Sequence, residues 1–325
     1  MAQFRVMSWN VENLFDVGQD AGPETQAQLN AKIASLSAVI DAQEPHVVAL
    51  QEIGSESALA RLQAALTKPL PHRQLAQPDE RGIRVGFISS RVLHEPTEIR
   101  PFPDGLLPIQ VSDDPPGPDG PRMMNQMGRS ALRVTIRASN RDVHVVSAHL
   151  KSKLLTYPGG SFSPTDEDQR ARFASYALYR RASEATTLRA HLNTLLDGDG
   201  RDLPVVLAGD MNDEVSAATT LILNGPPGSE VGTVGFEQPD LGDGDRMWNL
   251  APLIPEERRF SRLYRGRMEL IDHIFVSHFL VTGTRTTDVT TVVAAPGMPS
   301  LDDDPTARQG EPGSDHAAVV ATFDF

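Results

Sequence analysis

The sequence predicts a mixed α/β (α+β) fold, and three observations support this prediction. Nine short segments are rich in β-branched and aromatic residues and have the length of strands. These segments are residues 4–9, 47–50, 85–88, 132–136, 143–150, 205–208, 274–276, 289–293 and 318–323. Stretches with helical spacing of apolar residues separate several of them, and polar residues cluster where several of them end. Strands that alternate with helices are typical of sheets covered by helices.

Three helices are predicted between these strands, over residues 25–43, 57–66 and 166–196. The first has apolar residues at three- and four-residue steps, namely Leu29, Ile33, Leu36 and Ile40. The third follows Thr165, a residue type that commonly caps helices, and has acidic residues in its first turn. Four long loops rich in proline and glycine are expected to select the substrate. These loops are residues 101–128, 156–164, 224–246 and 294–313.

The composition is that of a globular protein with a substantial core. The chain has 325 residues, of which 39% are hydrophobic and 22% are charged. No apolar stretch is long enough to span a bilayer, and no basic-apolar leader precedes the first strand at Phe4. The chain has no cysteine, which excludes disulfides and thiol catalysis and suits a reducing compartment. We therefore expect a cytoplasmic protein, although a leader that had been removed would leave the same sequence.

The net charge limits how the protein can contact nucleic acid. A total of 30 Lys and Arg against 43 Asp and Glu gives −13, opposite in sign to a tight, nonspecific duplex binder. Any contact with nucleic acid must therefore be local, for example at the arginine-containing segment 129–141. An acidic surface that serves solubility explains the same charge equally well.

Polar clusters at the ends of the strand-like segments indicate the function. Each is weak evidence alone, because a strand-terminal Glu or an Asp-His pair is usually a solvated or hydrogen-bonded group. In chain order they read Trp9-Asn10-Val11-Glu12-Asn13, Gln51-Glu52, Ser147-Ala148-His149-Leu150, Gly209-Asp210-Met211-Asn212, Ile271-Asp272-His273 and Gly313-Ser314-Asp315-His316. Together, over nearly the whole chain, they resemble the endonuclease/exonuclease/phosphatase (DNase I-like) superfamily of metal-dependent phosphoesterases.

This resemblance implies a specific architecture. It predicts a four-layer sandwich, in which two packed mixed β-sheets are flanked by helices. Because the clusters would form one site, residues 1–325 are expected to be a single domain. The resemblance indicates the reaction better than the substrate, since known members include nucleases, deadenylases, sphingomyelinases and inositol-polyphosphate phosphatases.

A divalent cation is the cofactor that the resemblance implies. Mg²⁺ prefers carboxylate and amide oxygens, and Glu52, which ends a buried apolar run, fits the principal ligand. Asn10 and Glu12 lie two residues apart, so their side chains project to the same side of a strand. The resemblance places both at the metal site, together with Asp315. Mn²⁺ is an alternative to Mg²⁺, and Ca²⁺ fits less well. Elsewhere in the chain, the acidic loop 240–245 hints at a calcium loop but lacks the spacing of a recognised one, so a solvent-exposed loop is the preferred interpretation.

Five residues are candidates for the catalytic groups. By resemblance, Asp210 orients or deprotonates the attacking water, and Asn212 holds that water or a phosphate oxygen. Asp272 is expected to pair with His316, to fix its tautomer and to favour the imidazolium. His149 is expected to contact a nonbridging phosphate oxygen.

Three basic residues are candidates for substrate binding. Lys151 and Lys153 continue the alternation of the strand that ends at His149, so they can bind substrate phosphate beyond His149. An interpretation in which both lysines are simply exposed to solvent is equally supported. Arg129 ends the Met-containing segment 122–129. That segment either offers adaptable apolar contacts beside two cations or is a packed loop.

The sequence favours a phosphodiesterase that uses direct attack of water, with a nuclease, specifically a DNA endonuclease, as the first choice. Residues 270–276 lack the Trp-Cys-Asp-Arg pattern of inositol phosphatases. The main alternative is a phospholipid or small-molecule phosphoesterase of sphingomyelinase type, which large apolar side chains at the loop tips would favour. Basic residues lining a groove would favour nucleic acid. A noncatalytic binding protein on the same scaffold should lack a catalytic group, and none is missing.

Overall fold

Two six-stranded β-sheets pack face to face at the centre of the structure. The computed structural model describes residues 2–19, 21–105, 109–110, 123–155, 166–236, 238–282, 285–302, 304 and 307–325. The first sheet has the order β15 (Thr286–Val292), β17 (Ala318–Asp324), β1 (Gln3–Leu14), β2 (Val47–Ile53), β4 (Arg84–Ser89) and β3 (His72–Leu75). The second has the order β11 (Met247–Asn249), β14 (Asp272–Ser277), β10 (Val205–Asp210), β9 (Arg141–His149), β8 (Gln126–Ala138) and β5 (His94–Pro101).

The two sheets have the same arrangement of their central strands. In the first sheet, β1 runs parallel to β2 and antiparallel to β17. In the second sheet, β10 runs parallel to β9 and antiparallel to β14. Parallel neighbours end at the same edge of a sheet, and their antiparallel neighbour begins there. Each sheet therefore brings the carboxyl ends of two strands and the amino end of a third to one edge.

The central strands are apolar on both faces. In β2, Val47 and Ala49 pack between the sheets, whereas Val48 and Leu50 face the helical layer. The same alternation divides the residues of β10 between the inter-sheet core and the opposite helical layer. Burial on both faces explains why these strands read as continuous apolar runs.

Helices cover the outer faces of both sheets, so the predicted four-layer sandwich is confirmed. They are α1 (Gln26–Gln43) and α2 (Glu56–Ala65) on the first sheet, and α3 (Glu167–Leu196) and α4 (Ala218–Asn224) on the second, with a short α5 (His278–Val281) after β14. A capping box begins α1, where Thr25 and Gln28 exchange side-chain and backbone hydrogen bonds. The N-cap of α3 is Asp166, which accepts from the Gln169 N–H at 2.7 Å. The predicted cap, Thr165, lies outside the described residues. No helix in the described parts of the chain is both long and apolar enough to cross a bilayer.

All the predicted strands and helices are present, and the additional strands are short or lie at sheet edges. The edge strands β3 and β5 have few buried residues, which explains why no apolar pattern marks them. Two small sheets are also present, one of β13 (Arg267–Glu269), β12 (Arg262–Tyr264) and β16 (Ser300–Leu301), the other of β6 (Ile109–Gln110) and β7 (Met123–Met124). Single 3₁₀ turns occur at Ala251–Leu253 and Glu256–Arg258.

The predicted substrate-selecting loops are described only in part. Loop 156–164 lies outside the described residues, as do residues 106–108 and 111–122 of loop 101–128. In loop 224–246, Asp240 and Asp243 pair with Arg246 and Arg201 at 2.8 and 3.1 Å. These arginines supply positive charge to two of the three carboxylates that the sequence places in this loop.

Gly209 allows a close approach between β9 and β10. A Cβ at this position would lie 2.0 Å from the carbonyl oxygen of Ala148. Gly209→Ala should therefore lower the free energy of unfolding by about 1–3 kcal/mol, as overpacking does, in urea denaturation. Gly266→Ala is the control, because Gly266 has a φ of +75° but no atom within 4 Å of its Cβ position. A loss no larger than that of the control would contradict the steric explanation.

Candidate active site

Six strand-end side chains meet at one edge of the sandwich. They are Asn10 of β1, Glu52 of β2, His149 at the end of β9, Asp210 at the end of β10, Asp272 at the start of β14, and His316 two residues before β17. Hydrogen bonds and close polar contacts join all six in one network. The two parallel strand pairs explain this convergence, because their carboxyl ends meet at the same edge.

A backbone irregularity sets the position of the Glu52 carboxylate. The β1–β2 pairing is interrupted after Asn10 and resumes at Leu14. In this region Glu12, Asn13 and Glu52 have φ values of 48°, 52° and 62°. Non-glycine residues occupy this left-handed region at a cost, and functional sites are where such strain is commonly found. The resulting turn lets Glu52 Oε2 accept from the Asn13 N–H at 3.0 Å.

The side chain of Asn10 links the two sheets. Its Nδ2 donates to Glu52 Oε1 and to Asp210 Oδ2, both at 3.1 Å. Its Oδ1 accepts from the backbone N–H of Glu12 at 3.0 Å. Because the amide is held by its own loop, it directs carboxylates from two different sheets toward a single point.

Asp210 is fully buried between these groups. Burial and the negative charge of Asp272 raise the pKa of Asp210 to about 7, against the opposing charge of His316. Its Oδ1 accepts from the Asn212 N–H at 2.9 Å, and Asn212 Nδ2 donates to the Leu150 carbonyl at 2.9 Å. A positioned carboxyl group with a pKa near neutrality is suited to exchange a proton with a reacting group.

Asp272 and His316 are in direct contact although 44 residues separate them. His316 Nδ1 lies 2.7 Å from Asp272 Oδ2. Ser261 Oγ accepts from the Asp272 N–H at 3.1 Å, and Ser314 Oγ accepts from the His316 N–H at 3.0 Å. The Trp9 indole N–H donates to the His316 carbonyl at 2.9 Å. Both members of the pair are therefore fixed through their backbones.

The surroundings of the His316 imidazole favour its charged form. Burial alone disfavours the imidazolium, but the carboxylates of Asp272, Asp315 and Asp210 outweigh it and raise the pKa of the ring well above its usual value. Its Nε2 lies 3.9 Å from Asp210 Oδ2. Ligand atoms of Asp210, Asp272 and His316 all lie within 4.8 Å of one another, a spacing that can hold a metal ion. A protonated imidazole has no lone pair for a metal, so this group fits proton chemistry better.

His149 lies on the other side of Asp210, in surroundings that favour the neutral imidazole. Burial, followed by the positive charges of Arg129 and His316, lowers the pKa of His149 well below its usual value. Its Nε2 lies 3.5 Å from Asp210 Oδ2 and accepts from Arg129 Nη1 at 2.9 Å. Arg129 is held in turn by Asp79, whose Oδ2 accepts from Arg129 Nε at 2.8 Å. An arginine and a neutral imidazole thus lie side by side at the cleft.

The two lysines predicted to bind phosphate lie in the loop after β9. Lys151 Nζ donates to the carbonyls of Ser152 and Leu154 at 3.1 and 2.8 Å, and burial lowers its pKa to about 8. Lys153 Nζ lies 3.4 Å from Asp213 Oδ1. The protein itself engages both ammonium groups, and their role in substrate binding stays a prediction.

Glu12 lies in a separate charged cluster with Asp315. Its oxygens accept from Arg308 at 2.9 and 3.0 Å, and Lys32 Nζ lies 3.9 Å away. Glu12 Oε2 also accepts from the Asp315 N–H at 3.0 Å. Burial, followed by the charge of Asp315, raises the pKa of Glu12 to about 7. These contacts direct Glu12 toward Arg308 rather than Glu52, and the metal roles of Glu12 and Asp315 stay predictions.

Several residues that hold this site are not predicted by any pattern in the sequence. They are Asp79 beside Arg129, Ser261 beside Asp272, and Arg308 beside Glu12. The two members of these pairs are separated by 50, 11 and 296 residues, respectively. Only the folded chain brings them together, so no local pattern marks them.

The groups around Glu52 fit a hard divalent cation. Glu52 Oε1 and Asp210 Oδ2 both face the Asn10 amide, and no lysine or arginine of the described chain pairs with either carboxylate. The Glu52 side chain is 20% exposed, against 2% for Asp210, so Glu52 is the more accessible ligand. Carboxylates that share a site are unfavourable without a compensating cation, and oxygen ligands suit Mg²⁺.

Solved structures of other proteins have the same fold. D. rerio TDP2 in complex with a single-strand DNA product is 17% identical to the chain, with 100% of both chains covered and a TM-score of 0.57. The human Nocturnin catalytic domain with bound sulfate is 15% identical, with 99% of this chain and 94% of that chain covered and a TM-score of 0.55. An endonuclease/exonuclease/phosphatase from Beutenbergia cavernae DSM 12333 is 20% identical, with 100% and 72% covered and a TM-score of 0.51.

At such low sequence identities, these structures show only that the chain has the DNase I-like fold. A match to a family model shows the family as well. No curated protein sequence matches the chain. The model described as "Endonuclease/Exonuclease/phosphatase family" matches residues 7–316, which include all six converging side chains. The chain therefore belongs to the endonuclease/exonuclease/phosphatase family, whose members are phosphoester hydrolases that use divalent metal ions.

Proposed function

We propose that the protein is a Mg²⁺- or Mn²⁺-dependent phosphodiesterase, specifically a nuclease that cleaves DNA internally. One observation carries this proposal: the Asp272–His316 pair faces Asp210 at the edge where Glu52 and Asn10 also lie. The set contains oxygen ligands for a cation, a proton acceptor and a charged imidazole, as phosphodiester hydrolysis requires. Because the site draws on both sheets, all 325 residues form one domain in this proposal.

Glu52 is the residue that would hold the cation, and Asn10, whose Nδ2 donates to Glu52 and Asp210, would orient both carboxylates toward it. When bound, a divalent cation neutralises charge on the phosphoryl oxygens and stabilises the leaving oxygen. Mg²⁺ and Mn²⁺ suit a site with few protein ligands, whereas Ca²⁺ usually takes six to eight oxygens. The ionised form of Asp210 is favoured once that positive charge lies beside it.

Asp210 acts as the proton acceptor for the attacking water in this mechanism. The water oxygen bonds to phosphorus, the ester oxygen leaves, and the water proton passes to the Asp210 carboxylate. Asn212, fixed beside Asp210 by its backbone hydrogen bond, helps to position the water or a phosphate oxygen. The His316 imidazolium, held by Asp272, stabilises the negative charge that develops on the phosphoryl group. The chain has no cysteine, and direct attack requires no covalent intermediate.

Arg129 and His149 favour nucleic acid as the substrate. Arg129 is a fixed cation that could bind a phosphate oxygen, and the Nε2 lone pair of His149 accepts from its guanidinium and so orients it. Lys151 and Lys153 would extend this grip along a polynucleotide if their loop rearranged. The fold relative TDP2 has been solved with a single-strand DNA product, which also supports a nucleic-acid substrate.

A phospholipid or small phosphoester is the second candidate. Val234 and Leu241 in loop 224–246 are fully exposed, with relative accessibilities of 105% and 104%. Large apolar side chains on such a loop can enter a lipid surface. This candidate requires the same metal and catalytic groups, so only the substrate distinguishes it from a nuclease.

A substrate panel tests the proposal directly. The purified protein is incubated with plasmid, single-stranded DNA, RNA, sphingomyelin vesicles and bis-p-nitrophenyl phosphate, with Mg²⁺, Mn²⁺, Ca²⁺ or a chelator. We expect plasmid nicking with Mg²⁺ or Mn²⁺ and none with chelator. Selective hydrolysis of sphingomyelin would support the second candidate, and inactivity on every substrate would refute both.

Glu52→Gln should abolish most activity, because it keeps the side-chain shape but removes the charge that holds the cation. A loss of several kcal/mol of transition-state stabilisation corresponds to a fall in kcat/KM of about 10³-fold or more. High Mn²⁺ should restore it only partly. Glu56→Gln is the control, since Glu56 is an exposed residue in the first turn of α2. Full activity of Glu52→Gln at low Mg²⁺ would contradict the metal assignment.

Asp272→Asn and His316→Ala should each lower kcat by roughly 10²- to 10⁴-fold, because the pair supplies one charged group. Losses within such a unit are strongly non-additive, so the double variant should be little worse than the poorer single variant. Single-turnover rates of all three proteins, with circular dichroism as the folding control, provide the measurement. Losses that multiply in the double variant would show that the two residues work independently.

A further inference from the structure

Three charged residues of α3 contact the loops that carry the phosphate-facing side of the site. Arg180, Arg181 and Glu184 form this group, which we call the α3 clasp. Arg181 and Glu184 are only 5% and 2% exposed, and the Arg180 side chain is 21% exposed. Most of the remaining contact between α3 and the sheet is apolar and includes Leu188 and Leu192. The buried charges therefore need an explanation other than helix docking.

Glu184 joins the ends of two neighbouring strands. Its Oε1 accepts from the Gly128 N–H at 3.1 Å, and its Oε2 accepts from the Lys151 N–H at 2.7 Å. Gly128 directly precedes Arg129, and Lys151 follows His149 by two residues. One rigid carboxylate thus sets the spacing between the backbones that carry Arg129 and His149. These are the two side chains in contact at 2.9 Å in the cleft.

Arg180 holds that carboxylate and fills the space beside Gly128. Arg180 Nε donates to Glu184 Oε1 at 3.2 Å. A Cβ on Gly128 would lie 1.5 Å from Arg180 Nη2. A side chain at residue 128 would therefore displace the Arg180 guanidinium from this position.

Arg181 extends the clasp to the third strand. Its Nη1 donates to the Lys151 carbonyl at 3.0 Å, and its Nε donates to Asp213 Oδ2 at 3.1 Å. Asp213 follows Asn212, and Thr219 at the start of α4 donates to the same Asp213 oxygen at 2.6 Å. Arg181 therefore ties the loop after β9 to the loop after β10.

Energetics favour a positioning role over a purely stabilising one. Buried ion pairs contribute little net stability, because desolvation offsets their attraction, and well-packed apolar residues hold a helix equally well. Apolar residues cannot accept hydrogen bonds from the Gly128 and Lys151 N–H groups, whereas a carboxylate accepts directional bonds from both. The charges thus specify where the strand ends lie rather than whether α3 docks.

We propose that Arg180, Arg181 and Glu184 are positioning residues that hold Arg129, His149 and Asn212 in register with the substrate phosphate. This inference rests on the proposed phosphodiesterase function. The hydrogen bonds that join the clasp to the described loops reach the second sheet, whereas Glu52 and Asn10 belong to the first sheet. Disturbing the clasp should therefore weaken substrate engagement and leave the response to the cation unchanged.

Glu184→Gln is the principal test. An amide keeps the shape but has one acceptor oxygen, so one of the two backbone N–H groups loses its partner and Arg180 loses its counter-charge. We expect kcat/KM for a DNA substrate to fall about 10- to 100-fold, as expected when catalytic groups are misplaced. The Mg²⁺ concentration for half-maximal activity should stay at the wild-type value. Glu167→Gln is the matched control, because Glu167 is an exposed glutamate on the same helix, and it should behave as wild type.

A double variant separates positioning from general loosening. In a His149→Ala background the principal group that the clasp positions is gone. Adding Glu184→Gln to this variant should therefore lower kcat/KM by less than about threefold. A fully multiplicative loss, or a Glu184→Gln variant with wild-type kcat/KM, overturns the inference. The inference is also overturned if Glu184→Gln raises the Mg²⁺ concentration for half-maximal activity by the same factor as it lowers kcat/KM. Such a result would indicate loosening of the whole site.

Hydrogen exchange tests the clasp without any activity. Glu184→Gln should speed amide exchange in the segments around Gly128 and Lys151 and leave that around Glu52 unchanged. The inference is overturned if Glu184→Gln exchanges at the wild-type rate in every segment, or faster by the same factor in every segment. This holds even if the wild-type protein is active. If the wild-type protein hydrolyses no phosphodiester, the proposed function fails, while exchange still reports on the clasp. Should Glu184→Gln not fold, Arg181→Lys provides a second test. It keeps the charge but loses the rigid fork whose two nitrogens bond Asp213 and the Lys151 carbonyl, and the same exchange and kinetic criteria apply.

Discussion

The parallel pairing of β1 with β2, and of β9 with β10, is the constraint on which the rest of the site depends. It directs four strand ends to one edge of the sandwich, and the antiparallel neighbours β14 and β17 begin at the same edge. The Asn10 amide then spans the two sheets by donating to Glu52 and Asp210. Without this arrangement, carboxylates from distant parts of the chain would have no reason to share a point. Topology brings them together, and hydrogen bonds orient them.

The electrostatics of the site follow from this convergence. Asp210 lies between two imidazoles, with His149 Nε2 at 3.5 Å and His316 Nε2 at 3.9 Å. Although both rings are buried, Arg129 beside His149 favours its neutral form, whereas Asp272 beside His316 favours the cation. Neighbouring groups rather than burial therefore separate their charge states. Such divergence within one site is typical of assigned acid and base roles.

Strand composition accounts for what the sequence could predict, and tertiary contact accounts for what it could not. Buried central strands leave continuous apolar runs, so the position of Glu52 after such a run was visible before the fold was known. Edge strands such as β3 have partly exposed residues and left no comparable pattern. The supports of the site, among them Arg308 and Glu184, lie on a loop and a helix far from the residues they hold. The spacing also predicts that Glu12 projects to the same side as Asn10, whereas the bonds to Arg308, which exist only in the folded chain, direct it away from Glu52.

Each sheet is held at the active edge by buried charges from the layer outside it. On the first sheet, Lys32 of α1 donates to the Gly313 carbonyl at 2.8 Å, three residues before His316, and lies 3.9 Å from Glu12. On the second, Glu184 of α3 binds the backbones beside Arg129 and His149. Apolar packing fixes the distance between layers but leaves loop backbones free to shift, since it is nondirectional. Directional bonds to buried charges remove that freedom. The outer helices therefore shape the catalytic edge as well as cover the core.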